Sequence, residues 1–368
     1  SILVFTGYKL ASPDVVKRIF SIGKEQLVIF FVTLVFTLKI GIISGIVLGV
    51  LCTFLIHFLL NRNIALFLRN FLKPNVLMYR ELDDEAIYYV SVKHFCTFIN
   101  YYRLKDKLDA ISEEQDVVVD FSLCQFVDHT VMENLNSYQE LFQKRGGNFA
   151  VVGLDMHDAD SKHPFALRRI LPIPSLLPNF TKRQTSLEEL AKEYELTYEA
   201  SKIKEVQFLP SFLFFRTKEI NHLYNRLSDE KHVTSIFDVE FSEGEFIAKE
   251  VIRKTMMHIE LDRNIPEFTL DREGLLERFY ALAGFRDIPI TDHSDFSSRF
   301  YLLGEDEDAI RAFFTIELIH FFESNPYYHV ESNGNSILIF GRERLASIKE
   351  LKALLDFGNR LNEVVKSI

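Results

Sequence analysis

From Leu27 to Leu60 the chain reads LVIFFVTLVFTLKIGIISGIVLGVLCTFLIHFLL, with one lysine and one histidine in an otherwise largely apolar run. Apolar density of that kind marks a membrane segment. As one helix the run would be roughly 50 Å long, against a hydrocarbon core of about 30 Å. Two spans are therefore expected, about 26–38 and 42–60, broken where a charge meets a glycine at Lys39-Ile40-Gly41. The first leg is short for a full crossing, and the rival reading is a single tilted helix with a snorkelling Lys39. Gly41, Gly45 and Gly49 recur every four residues, as at small-residue helix interfaces. Upstream, Ser12-Pro13-Asp14 has the form of a helix start and opens a short amphipathic piece through Ile22, suited to the membrane surface.

The pattern changes after Asn75. Ile87 to Val92 suits a strand, and Phe98 to Ile111 has helical spacing. Val117 to Phe121 is a short β-branched strand of the kind covered on both faces. Val131 to Lys144 returns to the helical period, with Val131, Leu135, Tyr138 and Phe142 on one side, and Gly146-Gly147 closes it before the strand Phe149 to Leu154. Strand, helix, strand at this spacing is a βαβ unit. At the handover from strand to helix stand Asp128, His129 and Thr130. The side-chain oxygen of Asp128 or of Thr130 suits the unpaired amide donors of a helix start, and the same helix end favours an anion or phosphate.

Residues 161–207 are charged and irregular, with Pro164, Pro172, Pro174 and Pro178 in quick succession. They read as a linker before a Lys/Glu-rich helix, with room for a last helix of the preceding domain. The remainder, 208–368, reads as a separate α+β module. Its strands are expected near Phe212 to Phe215 and Ile236 to Phe241, and its helices around Glu245 to Leu261, Arg272 to Ala283, Asp308 to Glu323 and Ser347 to Val365. The Asn333-Gly334 pair in HVESNGNSILIF predicts a tight hairpin. The fold class is thus multidomain: an all-α transmembrane hairpin (1–60), an α/β domain (76–160), and an α+β module after the linker.

Composition then narrows the chemistry. A net charge of -10 argues against a nucleic-acid partner. Lys9, Lys17, Arg18 and Lys24 precede the apolar run and Arg62, Arg69 and Lys73 follow it, so the positive-inside rule places both ends in the cytoplasm. The chain starts without Met on an already apolar stretch, SILVFTGYKLASP, and reads as a fragment. Cys52, Cys96 and Cys124 have neither disulfide-framework nor zinc spacing, which fits a reducing compartment. His94 with Cys96 lacks further ligands in sequence, and no metal or cofactor is expected. In the last module Ser242 and Glu245 fit a capping box, and Gly304 to Asp308 a turn feeding acids into a helix. Asp287, Asp292, His293 and Asp295 form an acidic loop without calcium-loop spacing. Neither a phosphate-cradling loop nor a nucleophile elbow occurs, and an enzyme is not expected.

The order DFS, FVDHT, amphipathic helix, then a glycine-bounded FAVVGL strand resembles the STAS domain shared by anti-sigma-factor antagonists and SulP anion transporters, over roughly Val76 to Asp160. FTGYKLASP, IGKEQLVIFFVT and GIISGIVLGV upstream resemble, in the same order, the end of the SulP membrane domain. In the antagonist branch an Asp-Ser-Ser-Gly turn carries the phosphorylated hydroxyl on its second serine. Here Asp128 matches the Asp, His129 replaces the first serine, Thr130 falls on the phosphoacceptor, and Val131 replaces the glycine. The resemblance implies the carboxy-terminal part of a multi-pass transporter of small inorganic anions such as sulfate or bicarbonate. Its STAS domain would serve regulation and assembly in the cytoplasm, its substrate site would lie in earlier helices, and its partners would be membrane lipid and a second copy. The alternative is a membrane-tethered signalling module, switched by phosphorylation at Thr130, with a regulatory protein docking beside it.

Overall fold

In the computed structural model the described residues are 12–60, 76–81, 84–155, 157–170, 180–231, 233–243, 250–271, 286–290, 293–341 and 344–368. They form two compact units, Ser1–Arg183 and Gln184–Ile368.

The first unit begins with three helices, α1 (Pro13–Ile22), α2 (Lys24–Lys39) and α3 (Ile42–Leu60). Pro13 occupies the first turn of α1, where its missing N–H costs nothing. Helices α2 and α3 pack against each other through glycines. A methyl group at Gly45 would run into Thr37, and one at Gly49 into Thr33, so these two of the three spaced glycines lie at a helix contact, while Gly41 faces open space at the turn. The predicted two-span hairpin is narrowed by this geometry. Ile42–Leu60 is the single helix among the described residues long and apolar enough to cross a membrane. The 16 residues of α2 reach only about 24 Å at 1.5 Å per residue, short of the hydrocarbon core.

The sheet of this unit joins β1 (Val76–Glu81), β2 (Asp84–Cys96), β3 (Asp116–Val127), β4 (Phe149–Val152), β5 (Asp158–Ala159) and β6 (Arg168–Arg169). β3 is its centre. It runs parallel to β2 and to β4, as a βαβ unit requires, while its last residues Phe126 and Val127 pair antiparallel with β6. Helix α4 (Tyr101–Leu108) and helix α5 (His129–Arg145) supply the covering apolar faces. Val131, Leu135 and Phe142 of α5 are buried, and Tyr138 stacks on Phe149 at 5.9 Å. Gly146 ends α5 at φ 91°, a left-handed conformation that glycine takes without strain. The sheet continues past residue 160, because Arg168 and Arg169 close it.

The second unit starts earlier than position 208. Helix α6 (Lys182–Glu193) buries Leu187, Leu190 and Ala191 in the core of that unit, so the helix of the 161–207 segment belongs there and not to the preceding sheet. Three apolar side chains on one face decide its allegiance. The nine-stranded sheet is antiparallel throughout, and across it the strands beginning at Arg286, Tyr301, Phe268, His329, Ser336, Glu250, Thr234, Glu219 and Thr197 follow one another in that order. Its strands are β7 (Thr197–Glu199), β8 (Glu219–Ser228), β9 (Thr234–Glu243), β10 (Glu250–Glu260), β11 (Phe268–Asp271), β12 (Arg286–Asp287), β13 (Tyr301–Gly304), β14 (His329–Ser332) and β15 (Ser336–Phe340). One face lies under α6 and the helices α7 (Ser294–Arg299), α8 (Glu307–Phe313), α9 (Ile316–Glu323) and α10 (Ile348–Ser367). The other lies under a phenylalanine layer built by Leu209, Phe212, Phe214 and Phe215.

Several expectations for this unit are corrected. Glu250–Glu260 is a strand and not a helix. Both of its faces are covered, Met256 by the phenylalanine layer and Met257 and Ile259 by the helices, so apolar residues fall on adjacent positions and imitate helical spacing. Ser242 accordingly sits in β9, paired with Val251, and its expected capping-box partner Glu245 lies outside the described residues. Phe212 to Phe215 forms part of a pair of 3-10 turns, whose apolar side chains cover the sheet where a strand would have extended it. The single helix expected over Asp308 to Glu323 is two, because Thr315 starts a second helix by accepting from the Leu318 amide. Asp306 caps α8 through the Ala309 amide, and Gly334 closes the predicted hairpin at φ 96°. The helix predicted over Arg272 to Ala283 lies outside the described residues, as does Asp292; His293 pairs with Glu323 at 3.8 Å. Ser347 and Glu350 form the capping box that starts α10, a motif the sequence offered elsewhere.

Candidate functional site

The three polar residues between β3 and α5 diverge once folded. Asp128 is the N-cap of α5, in extended backbone, and is 2% exposed. Its Oδ1 accepts from the Val131 amide at 3.0 Å, satisfying one donor of the first turn. Its Oδ2 accepts from the Phe98 amide at 2.6 Å, thirty positions back in the chain. Both oxygens are thus used by backbone N–H groups of two different elements. Burial pushes the Asp128 carboxyl up to about 6, and the amides of Val131 and Phe98 pull the other way.

His129 turns its ring to the segment that follows β5. Nδ1 donates to the Phe165 carbonyl at 2.9 Å, and Nε2 lies 3.7 Å from Glu133 one turn along the helix. Thr130 is exposed on the first turn of α5, and its carbonyl accepts from the Asn134 side chain at 2.7 Å. Of the three, Thr130 alone offers its side chain to solvent. A charge added to that hydroxyl would sit at the positive end of the helix dipole, where an anion is favoured by about 0.3–1 kcal/mol.

The surroundings of the corner were not foreseen. Phe98 opens the turn after β2, held by Asn100, whose side chain accepts from the Thr97 amide and donates to the Phe95 carbonyl, each at 2.8 Å. The Phe98 ring lies 6.0 Å from Phe54 and 6.1 Å from His57, both on α3, and His57 also packs edge-on against Phe126 at 5.1 Å. Phe58 and Leu60 pack against a cluster of Phe95, Phe126 and Leu167. On the other side, the Ser161 hydroxyl reaches the carbonyls of Ser21 and Ile22 at the end of α1, at 2.9 and 2.7 Å. No sequence signal singles out Phe98 or Ser161, since their partners lie 30 and about 140 positions away.

Other polar groups are internal. The thiols of Cys96 and Cys124 are fully buried, and burial pushes Cys124 up to about 12, so neither is poised as a thiolate. No group of three metal-ligating side chains occurs among the described residues, His94 and Cys96 included. Asp155 pairs with Arg183 at 2.7 Å and accepts from Thr181. In the second unit His329 lies between Asp271 at 3.3 Å and Glu331 at 3.6 Å. Glu331 also accepts the amides of Leu213 and Phe214, and Asp271 accepts from Tyr327 at 2.5 Å. Burial alone would lower His329, yet the two carboxylates hold it above its ordinary value. Lys254, 2% exposed, places its ammonium 4.0 Å from the Phe340 ring centre.

No family model matches the chain, and no curated protein does. Among solved structures it is similar to the mycobacterial trehalose monomycolate transport factor A, TtfA, at 14% identity, covering 50% of this chain and 93% of that one with a TM-score of 0.33. It is similar to the STAS domain of an antisigma-factor antagonist from Rhodobacter sphaeroides at 20% identity, covering 22% and 86%, TM-score 0.18. It is also similar to SLC26A9 at 14% identity, covering 39% of this chain and 27% of that one, TM-score 0.21. At these scores the likenesses are weak and partial and transfer no chemistry.

Proposed function

We propose that the chain is the carboxy-terminal part of a SulP-type transporter of small inorganic anions, with α2 and α3 as the closing hairpin of its membrane domain. The sheet around β3 is the regulatory STAS domain on the cytoplasmic side, and the protein works as a pair of copies. The observation that carries this reading is the joint arrangement of an apolar, glycine-packed helix pair and a βαβ sheet with Asp128-His129-Thr130 at its strand-to-helix corner. Either part alone has many homes; the ordered combination has few. The anion site itself belongs to helices preceding this hairpin, where half-helix N-termini would face the substrate. The full reading frame, purified and reconstituted in proteoliposomes, should accumulate labelled sulfate or bicarbonate. Vesicles that take up neither would remove the transporter reading.

A second reading is favoured by one observation, the exposure of Thr130 on the first turn of α5. In it the same domain is a phosphorylation-switched docking module for a regulatory protein. Phosphate label that enters the wild-type chain and is lost in Thr130→Ala supports this reading, and label unchanged by that substitution excludes it.

A further inference from the structure

The Asp128-His129 corner has two short connections to the helices that precede the sheet, one through each residue. Asp128 holds the Phe98 amide at 2.6 Å, and the Phe98 ring rests on Phe54 and His57 of α3. His129 holds the Phe165 carbonyl at 2.9 Å, four positions from Ser161, whose hydroxyl bonds the last carbonyls of α1. Between Ser161 and Phe165 the segment is stiffened locally, because the His163 amide donates to the Ser161 hydroxyl at 3.1 Å and the Phe165 amide to the His163 ring at 3.2 Å. The last turn of α3 is seated as well, with Phe58 and Leu60 against Phe95, Phe126 and Leu167.

We propose that Asp128 and His129 are positioning residues that fasten the sheet to the preceding helices by two separable arms, Asp128 to the end of α3 and His129 to the end of α1. A change at the corner then reaches α3 through packed rings on one side and α1 through a hydroxyl clasp on the other, by contiguous contact. Capping explains one of Asp128's two bonds; the bond to Phe98 serves no helix start. In what it says the corner controls, this inference rests on the transporter reading; the fastening itself does not.

The two roles of Asp128 separate in Asp128→Asn, which keeps one acceptor oxygen where the carboxylate has two. Asparagine caps as well as aspartate, so the cap on α5 survives and the Phe98 amide is released. Hydrogen exchange on the full chain in lipid nanodiscs should then rise about tenfold at Phe98 and across Leu55 to Leu60, with Val131 to Leu135 unchanged. Phe98→Ala should loosen the same turn of α3 with the Asp128 cap intact. His129→Ala should loosen Ser161 to Phe165 and the last turn of α1, leaving α3 protected. Exchange that rises only within α5 in Asp128→Asn, an α3 end indifferent to Phe98→Ala, or an α1 end indifferent to His129→Ala would each overturn the proposal. Anion uptake by vesicles of the same protein reads the transporter question separately. Uptake with uncoupled exchange defeats the fastening, and coupled exchange without uptake defeats only the transport reading.

Discussion

Two buried acidic groups in this molecule, Asp128 in the first unit and the Asp271–Glu331 pair in the second, look alike by composition and differ in what surrounds them. In the second unit the charges answer one another. His329 lies between both carboxylates, Glu331 takes two backbone amides, and Lys254 rests on phenylalanine rings. Every part is enclosed by the sheet and the phenylalanine layer, so the cluster serves the fold. Among the described residues Asp128 forms no salt bridge of that kind, and the only charge acting on it from nearby in the chain is the adjoining His129. It bonds two amides from separate elements, and its chain neighbours lead outward, His129 to another segment and Thr130 to solvent. Burial of a charge therefore does not by itself mark a site. What distinguishes the corner is that its bonds join separate elements, the turn after β2, the start of α5 and the segment around Phe165.

That contrast can be broken most forcefully at His329. His329→Ala leaves two carboxylates facing each other without a cation between them, and removing one member of a buried charged group costs about 3–5 kcal/mol. Urea unfolding followed by a probe in the second unit should show that loss, with the first unit unaffected. A loss under about 1 kcal/mol would mean the charges are not paired as described.

A smaller effect is expected from pH at the corner. The folded Asp128 carboxyl titrates at about 6, above its ordinary 3.8, so its protonated form is favoured in the folded state. Its contribution is complete below about pH 4 and is lost as pH rises through about 6, by up to roughly 3 kcal/mol. Comparing wild type with Asp128→Asn between pH 4 and 7 isolates it, because other carboxylates titrate in both. Parallel stability curves would show that Asp128 does not titrate in this window.

Asp128→Ala comes next in size. Losing the cap of α5 costs about 1–2 kcal/mol, and the freed Phe98 amide adds to that where it stays dry. The thermal midpoint of the first unit should fall by several degrees, while the second unit's stays in place. Smallest of all is Thr130→Ala, expected within about 0.5 kcal/mol because the side chain is exposed and holds no other element. A larger loss there would reveal a structural task for the hydroxyl and weaken its standing as a modification site.

The corner itself was legible in the sequence. A β-branched run, three polar residues and a helical period together require a strand-to-helix handover with a polar cap, and the structure assigns that cap to Asp128. The glycine-spaced helix contact and the Asn333-Gly334 hairpin were legible for the same reason: each depends on the local chain and its backbone freedom. The second unit was much less so. Its central strands are buried on both faces, and period-two alternation vanishes when neither face meets water, so β10 carried a helical signature. The boundary at 183 was hidden as well, since the helix from Lys182 shows an apolar face but not which core receives it.

By itself, then, the amino-acid order determined the apolar helix pair, the βαβ order and the place of the capped helix start, because these follow from hydrophobic period and from hydrogen-bonding needs within a few residues. Tertiary structure alone decided that Asp128 also holds Phe98, that Ser161 meets the end of α1, and that His329 sits between two carboxylates. Those contacts join residues far apart in the chain. Their geometry is set by how layers pack, which no local pattern encodes.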